Sequence, residues 1–229
     1  MEILVHGQID QNTKNIVVLL HGFPGITTRQ NRDLAPLFYE KLGWPSVIIF
    51  YPGLSVNPGK FTYTEAYALV TNTIKGFLVK NPDLKIHLYG HSFGGYLSLR
   101  LAKDFTKNIE QIFLLSPLLH EIDPTFFKEL IDKLYTEQSY LERHSLETLF
   151  EDYHKFIVGY DPAELKNYLR SKRVKLYQAR LDTITPTAIA LEFVKNTAID
   201  YEESEQDHSF LTDRTEVLNK ALDFFKHQE

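Results

Sequence analysis

The sequence predicts an α/β fold in which a mostly parallel sheet is flanked by helices. Short apolar runs, rich in Val, Ile, Leu or Tyr and bounded by turn residues, alternate along the 229 residues with longer segments of helical spacing. Such runs are typical of strands buried on both faces of a parallel sheet, and their alternation with helices indicates the α/β class. The predicted strands are residues 16–20, 47–51, 86–89, 112–115, 174–179 and 198–201.

Two helical segments carry signals for where a helix begins. Thr62 and Glu65 have the Thr-x-x-Glu spacing of a capping box, in which the hydroxyl accepts a hydrogen bond from the backbone three residues on. Asp213 and Glu216 have the related Asp-x-x-Glu spacing. The sequence therefore predicts a helix after residue 62 and a final helix after residue 213.

The stretch 118–172 interrupts the alternation. It has no convincing strand pattern but three helical ones, at residues 124–135, 145–157 and 162–170, and the last begins with the N-cap pattern Asp-Pro-Ala-Glu. We predict that residues 1–117 and 173–229 form the core domain and that 118–172 is a helical cap over one edge of the sheet. Most aromatic residues of this cap are expected to form a small core of its own.

Composition and charge exclude several classes of protein. The formal net charge of -5 and a pI near 6.0 give no basic surface, so no nucleic-acid partner is predicted. The absence of cysteine excludes disulfides, thiolate metal sites and a cysteine nucleophile. The apolar runs are far shorter than the ~20 residues that span a bilayer, and the N-terminus does not read as a signal peptide. The expected location is cytoplasmic, although a chain whose leader had been removed would look the same.

The central motif is a G-x-S-x-G sequence around Ser92, between the predicted strand 86–89 and a helix-like run at 96–105. In this setting the motif forms a nucleophile elbow, a tight and strained turn that holds the serine hydroxyl at the carboxyl end of the sheet. Gly90 and Gly94 are needed because side chains there would collide with neighbouring backbone. The motif alone also fits an ordinary turn, so its context has to decide.

A second glycine motif, H-G-x-x-G at residues 21–25, directly follows the predicted strand 16–20. Attack on an ester or amide carbonyl produces an oxyanion, and two fixed backbone N–H groups aimed at it stabilise that charge. A loop of this form supplies one donor, and the residue after the nucleophile supplies the other. We predict the N–H groups of Phe23 and Phe93 as this oxyanion hole.

A nucleophilic serine also needs a base, and the base needs a carboxylate that orients it. After an elbow of this kind the chain order is serine, acid, histidine. Asp182 lies in the loop that follows the predicted strand 174–179, and His208 lies between the strand 198–201 and the final helix. Ser92, Asp182 and His208 therefore form the predicted catalytic triad.

Two other acids compete with Asp182. Asp123 follows the predicted strand 112–115, which is the other position where such an acid can lie. Asp207 is adjacent to His208, and neighbouring side chains cannot easily make the required hydrogen bond. The sequence favours Asp182 and leaves Asp123 open as the alternative.

The remaining histidines are not predicted to be the base. His91 directly precedes the nucleophile, and its side chain is expected to point into the packed sheet. His21 is expected to have a structural role in its loop. The others are expected at the surface or in the cap: His6, His87, His120, His144, His154 and His227.

These motifs together resemble the α/β-hydrolase superfamily, and the likeness covers nearly all of the chain outside the predicted cap. The segment 51–61 lies where small microbial esterases, including feruloyl- and cinnamoyl-ester hydrolases, carry the sequence R-G-x-G-x-S-x-G-K-F. Pro52 and Leu54 depart from that pattern. Ala179 and Asp207 stand where the family usually has glycine, which weakens assignment to a subfamily rather than to the fold.

The resemblance implies a serine hydrolase that cleaves a carboxylic ester through an acyl-enzyme. No metal ion or organic cofactor is predicted, and there is no phosphate loop or dinucleotide fingerprint. The expected partner is a small acyl ester, and no oligomeric state is predicted. An amidase or peptidase, a thioesterase, and a catalytically silent protein that binds a ligand or another protein remain alternatives.

Overall fold

The computed structural model describes residues 3–23, 31–54, 57–137, 142–158 and 162–226, and every structural statement below concerns these ranges. They contain one seven-stranded sheet in the order β1-β3-β2-β4-β5-β6-β7, and every neighbouring pair is parallel except β1–β3. This confirms the predicted α/β class. The strands are β1 Ile3–His6, β2 Asn15–Leu20, β3 Ser46–Ile49, β4 Lys85–His91, β5 Ile109–Leu115, β6 Arg173–Ala179 and β7 Asp200–Ser204.

Each predicted strand corresponds to an observed one, with ends that differ by a few residues. The largest shift concerns the last strand, which extends to Ser204 and includes Glu202 and Glu203. It lies at a sheet edge and is only partly buried, so its polar residues interrupt the apolar pattern from which a strand is predicted. The edge strand β1 was not predicted for another reason: its apolar run, Ile3 to Val5, is too short to indicate a strand. The expectation for His87 is wrong: it is buried on β4, where its Nε2 bonds Asn15 Oδ1 at 3.0 Å.

Both predicted helix starts are confirmed. The backbone N–H of Glu65 donates to the Thr62 hydroxyl at 3.1 Å, and that of Glu216 donates to Asp213 Oδ1 at 2.8 Å. The predicted helix at 162–170 begins as an α-helix and continues as a short 3₁₀-helix. The α-helices are α1 Ala35–Leu42, α2 Tyr63–Lys80, α3 Phe93–Asp104, α4 Pro124–Glu137, α5 Leu146–Val158, α6 Pro162–Leu165, α7 Thr187–Val194 and α8 Arg214–Lys226, and the 3₁₀-helix is Lys166–Leu169.

The core has two parts, one on each face of the sheet. Successive residues of β2 face opposite sides, as in any strand: Val18 packs with α2 and α3, whereas Val17 and Leu19 pack with α1 and α8. Burial of each such side chain stabilises the fold by about 1.5–3 kcal/mol. The sheet is therefore covered on both sides, and only its edges and the loops at its ends remain available for a site.

The helices of the 118–172 stretch pack on the α2 and α3 side and share its core. Phe127, Tyr153 and Phe156 belong to the same buried cluster as the sheet residues of that face, and the Tyr96 hydroxyl on α3 donates to the Phe156 carbonyl at 3.1 Å. The expectation of a separate small core is therefore wrong, because α5 lies directly on α2. The division of the chain into a core domain and a cap remains a prediction.

Some residues of the motifs and segments analysed above lie outside the described ranges: Pro24, Gly25, Ser55, Val56, Asp161 and His227. Of the described helices, none is long and apolar enough to cross a bilayer.

Candidate active site

Ser92 lies at the turn between β4 and α3 with a φ of 53° and a ψ of -117°. Non-glycine residues rarely adopt a positive φ, and such a conformation costs about 1–3 kcal/mol. Neighbouring chain holds it in place: the Ser92 N–H donates to the Leu115 carbonyl at 3.0 Å, and its carbonyl accepts from the Leu118 N–H at 3.0 Å. The strained turn that the motif predicts is confirmed.

The close packing of this turn explains its glycines. A Cβ on Gly94 would lie 2.5 Å from the carbonyl carbon of Leu20, and one on Gly90 would lie 2.5 Å from the Gly94 carbonyl oxygen. Both distances are far below normal contact, and the obstacles are backbone atoms that cannot rotate away. The predicted need for glycine on each side of Ser92 is confirmed.

The segment that contains Phe23 passes beside Ser92. A Cβ on Gly22 would lie 3.1 Å from the Ser92 Cβ, so the Gly22 backbone passes close to the Ser92 side chain. Phe93 is the first residue of α3, and its N–H is one of those that a helix leaves without an internal acceptor. Neither this N–H nor that of Phe23 has an acceptor among the described residues.

Asp182 and His208 are joined by a direct hydrogen bond, from Nδ1 of the imidazole to Oδ2 of the carboxylate at 2.7 Å. An ionised carboxylate only accepts, so this bond assigns the proton to Nδ1 and leaves Nε2 with its lone pair. The Asp182 side chain is fully buried and that of His208 is 17% exposed. This pair has the arrangement of a general base with its orienting acid.

The Asp182 carboxylate is saturated with donors. Its Oδ1 accepts from the backbone N–H groups of Ile184 and Thr185, both at 2.8 Å, and its Oδ2 also accepts from the Thr185 hydroxyl at 2.6 Å. Burial by itself raises the pKa of Asp182, but the bonds from His208 and Thr185 outweigh it and lower the pKa to about 2. Asp182 is therefore charged at neutral pH. Thr185 was not identified from the sequence, although an acid followed three residues later by threonine is a pattern of local side-chain capping.

Asp123, the alternative acid, makes bonds of another kind. Its Oδ1 accepts from the backbone N–H groups of Thr125 and Phe126, at 2.9 and 3.2 Å, at the start of α4. It therefore caps that helix, whereas the carboxylate that bonds His208 belongs to Asp182.

His91 contacts the loop of His208, which was not predicted. Its Nε2 donates to the His208 carbonyl at 2.8 Å, and the two ring centroids are 5.0 Å apart. Burial, with the neighbouring His208, lowers the pKa of His91 to about 3. The two residues are 117 positions apart in the chain, so no local pattern in the sequence could reveal this contact.

His21 supports the loop of Phe23, as expected. Its Nδ1 donates to the Gly22 carbonyl at 2.7 Å, and its ring lies 4.0 Å from that of Tyr51. The Phe23 ring stacks on the fully buried Phe61, with the ring centroids 4.2 Å apart, and this contact anchors the loop to the core. The described residues contain no group of three or more His, Asp or Glu side chains placed to hold a metal ion.

A family model for the alpha/beta hydrolase fold matches residues 15–211. The chain belongs to this family. The resemblance and the fold class predicted from the sequence, an α/β-hydrolase fold, are thereby confirmed. No curated protein sequence matches the chain.

Solved structures of hydrolases share this fold. A monoacylglycerol lipase from Paleococcus ferrophilus matches with a TM-score of 0.68 and 17% identity over 100% of both chains. An esterase from Exiguobacterium antarcticum matches with a TM-score of 0.67 and 17% identity, over 98% of this chain and 96% of that one. A 2-hydroxy-6-oxo-6-phenylhexa-2,4-dienoate hydrolase from a Rhodococcus species matches with a TM-score of 0.68 and 19% identity, over 98% and 94%. At 17–19% identity these neighbours show the same fold, and membership of the family supports a hydrolase activity.

Proposed function

We propose that the protein is a serine hydrolase that cleaves a carboxylic ester through an acyl-enzyme intermediate. Ser92 is the nucleophile, His208 the general base and Asp182 the acid that orients the base. The observation that carries the proposal is the 2.7 Å bond between His208 and the buried Asp182, in the loop that His91 ties to the strained turn of Ser92.

In the first half-reaction the Ser92 hydroxyl oxygen attacks the ester carbonyl carbon while its proton moves to Nε2 of His208. The carbonyl oxygen becomes an oxyanion, which the N–H groups of Phe23 and Phe93 stabilise by about 3 kcal/mol each. Collapse of this tetrahedral species breaks the ester bond. The leaving alcohol takes the proton from His208, and the acyl group stays on Ser92.

In the second half-reaction water attacks the acyl carbon and gives a proton to His208. A second tetrahedral species forms at the same donors and collapses to the free carboxylic acid, and His208 returns the proton to Ser92. All atoms and protons balance with water as the only co-substrate.

The low pKa of Asp182 supports this assignment. A carboxylate that stays charged at neutral pH stabilises the imidazolium that forms on His208 in both half-reactions. Because its four hydrogen bonds are fixed by the fold, the carboxylate does not have to reorient when the charge appears. The Phe23 ring, which is only partly buried and follows Gly22 beside Ser92, favours an ester with an apolar or aromatic acyl group.

The test compares turnover of p-nitrophenyl esters, acyl thioesters and aminoacyl amides by the wild-type protein and by Ser92→Ala. We expect ester turnover to be fastest and to fall by at least ~10⁴-fold in the variant, because the attacking atom is lost. Ser145→Ala, which removes an exposed serine at the start of α5, is the matched control and should keep wild-type turnover. Faster turnover of amides or thioesters than of esters would contradict the proposed substrate class. Absence of turnover of all three substrates would favour the alternative of a catalytically silent binding protein.

A further inference from the structure

The loop of His208, which comprises residues 205–213 between β7 and α8, is held by hydrogen bonds on two sides. On one side Gln206 bonds Asp213, with its Nε2 to the Asp213 carbonyl at 3.1 Å and its Oε1 to the Asp213 N–H at 2.9 Å. The Leu181 N–H also donates to the Gln206 carbonyl at 3.0 Å. These contacts fix the loop to the start of α8 and to the chain after β6, but they do not join it to β4, the strand that ends just before Ser92.

On the other side, His91 Nε2 donates a hydrogen bond to the His208 carbonyl. Among the hydrogen bonds of the described residues, it is the only one that joins the His208 loop to β4. The His91 ring is enclosed by the site: Phe210 meets it edge-on at 6.0 Å, and a Cβ on Gly22 would lie 3.5 Å from its Nδ1. The ring therefore lies where the loop of Phe23, the elbow and the His208 loop meet.

This position has a geometric consequence. His91 is covalently attached to Ser92, so its bond to the His208 carbonyl connects nucleophile and base by a path of two residues. The Asp182 bond controls how the His208 ring is turned, since it acts on Nδ1. The His91 bond acts instead on the backbone of His208, from the side of the loop that faces β4.

We propose that His91 is a positioning residue for the reaction, whose Nε2–H holds the His208 backbone at the distance that proton transfer from Ser92 requires. The inference rests on the proposed function. Because His91 remains neutral around pH 7, it keeps a single ring N–H for this bond and places no positive charge beside the imidazolium that forms on His208.

The competing interpretation is that His91 only fills space in a packed region. His87 provides the comparison, because it lies on the same strand, is 2% exposed, has its pKa lowered to about 4 by burial, and bonds Asn15 far from the site. A substitution at either position removes a buried imidazole from β4. Only one of them touches the base.

The experiment measures kcat, KM and the rate of fluorophosphonate inactivation for His91→Met, His91→Gln and His87→Met. Met has no donor, whereas Gln carries an amide N–H that can replace the imidazole Nε2–H. We expect His91→Met to lose about 10- to 100-fold in kcat and in inactivation rate with nearly unchanged KM, because a base displaced by about 1 Å transfers the proton poorly. His91→Gln should recover most of this loss, and His87→Met should keep the wild-type rate.

Equal rates for the Met and Gln variants, or an equal loss in His87→Met, would overturn the role of His91. If His91→Met does not fold, His91→Asn replaces it, since its amide is too short to reach the carbonyl and the same loss is expected. Absence of any Ser92-dependent labelling in the wild-type protein would instead be a failure of the proposed function, which separates the two results.

Discussion

The turn that carries Ser92 and the pair formed by Asp182 and His208 are held by different kinds of interaction. The turn is fixed by close contacts with neighbouring backbone, and its glycines lie against the carbonyl groups of residues 20 and 94. The pair is fixed by side chains of two loops, 26 residues apart in sequence, that parallel neighbouring strands β6 and β7 bring together. Close backbone packing around one short motif thus presents the proposed nucleophile, whereas side chains of two loops at the ends of neighbouring strands form the proposed acid–base pair.

The largest expected effect concerns the choice of acid. Asp182→Asn should lower kcat by up to ~10⁴-fold, because the amide favours the wrong imidazole tautomer of His208. Asp123→Asn is the control, since it changes only a cap of α4, and both kcat and stability should stay close to wild type because Asn caps a helix about as well as Asp. Steady-state kinetics on a p-nitrophenyl ester measure both. The opposite ranking would move the acid to the end of β5.

A second prediction tests whether the turn depends on local packing. Gly94→Ala should lower the free energy of unfolding by about 3 kcal/mol or more, because the new Cβ would overlap the backbone of Leu20. Gly76→Ala is the matched control: a Cβ there meets nothing within 4 Å on α2, and the exchange should stabilise by about 0.5–1 kcal/mol. Chemical denaturation of the two variants gives both values. Equal stabilities would mean that the turn is not packed as described.

Acid should weaken the two regions in different pH ranges. The pKa of His91 is lowered from 6.5 to about 3, so the unfolded chain binds its proton first and the stabilising effect of the neutral ring is lost as pH falls from 6.5 towards 3. The pKa of Asp182 is lowered from 3.8 to about 2, so its contribution is present above pH 3.8 and is lost only below it. Between pH 4 and 6, His91→Gln should reduce the slope of stability against pH by up to about 1.4 kcal/mol per unit. Asp182→Asn should leave the slope in that range unchanged, and denaturant titrations across pH measure it.

The smallest effect tests how well the carboxylate is held. Thr185→Val keeps the shape and the backbone N–H of residue 185 but removes the hydroxyl that donates to Asp182 Oδ2. The loss of one charge-assisted bond should lower kcat by about 10-fold and raise the pKa of Asp182 towards its usual value. Thr73→Val, which removes a hydroxyl bonded to the Leu69 carbonyl on α2, should leave the pH–rate profile as it is. A wild-type profile for both variants would show that Thr185 does not support the acid.

The same division explains what the sequence could predict. The strand before Ser92, the helix after it and the two glycines are adjacent in the chain, so one motif contained the whole turn. Asp182 and Asp123 both follow parallel strands, and only the contact with His208 in the folded chain distinguishes them.

Other features could not be predicted from the sequence because they depend on tertiary contacts or on solvent exposure. The bond between His91 and His208 joins residues 117 positions apart, and β1 is a half-exposed edge strand without a sustained apolar pattern. Helical periodicity identified the helices of 118–172, but periodicity does not show which surface a helix packs against. The sequence therefore does not predict that these helices share a core with α2 and α3, which is seen only in the folded chain.

The most direct measurement is the intact mass and peptide map of the protein after reaction with a fluorophosphonate probe. We expect one adduct per chain, on the peptide that contains Ser92, because the proposed base His208 takes the proton of this serine. Ser92→Ala should remain unlabelled under the same conditions. A wild-type protein without an adduct, or an adduct on another residue that persists in Ser92→Ala, would contradict the assignment of Ser92 as the nucleophile.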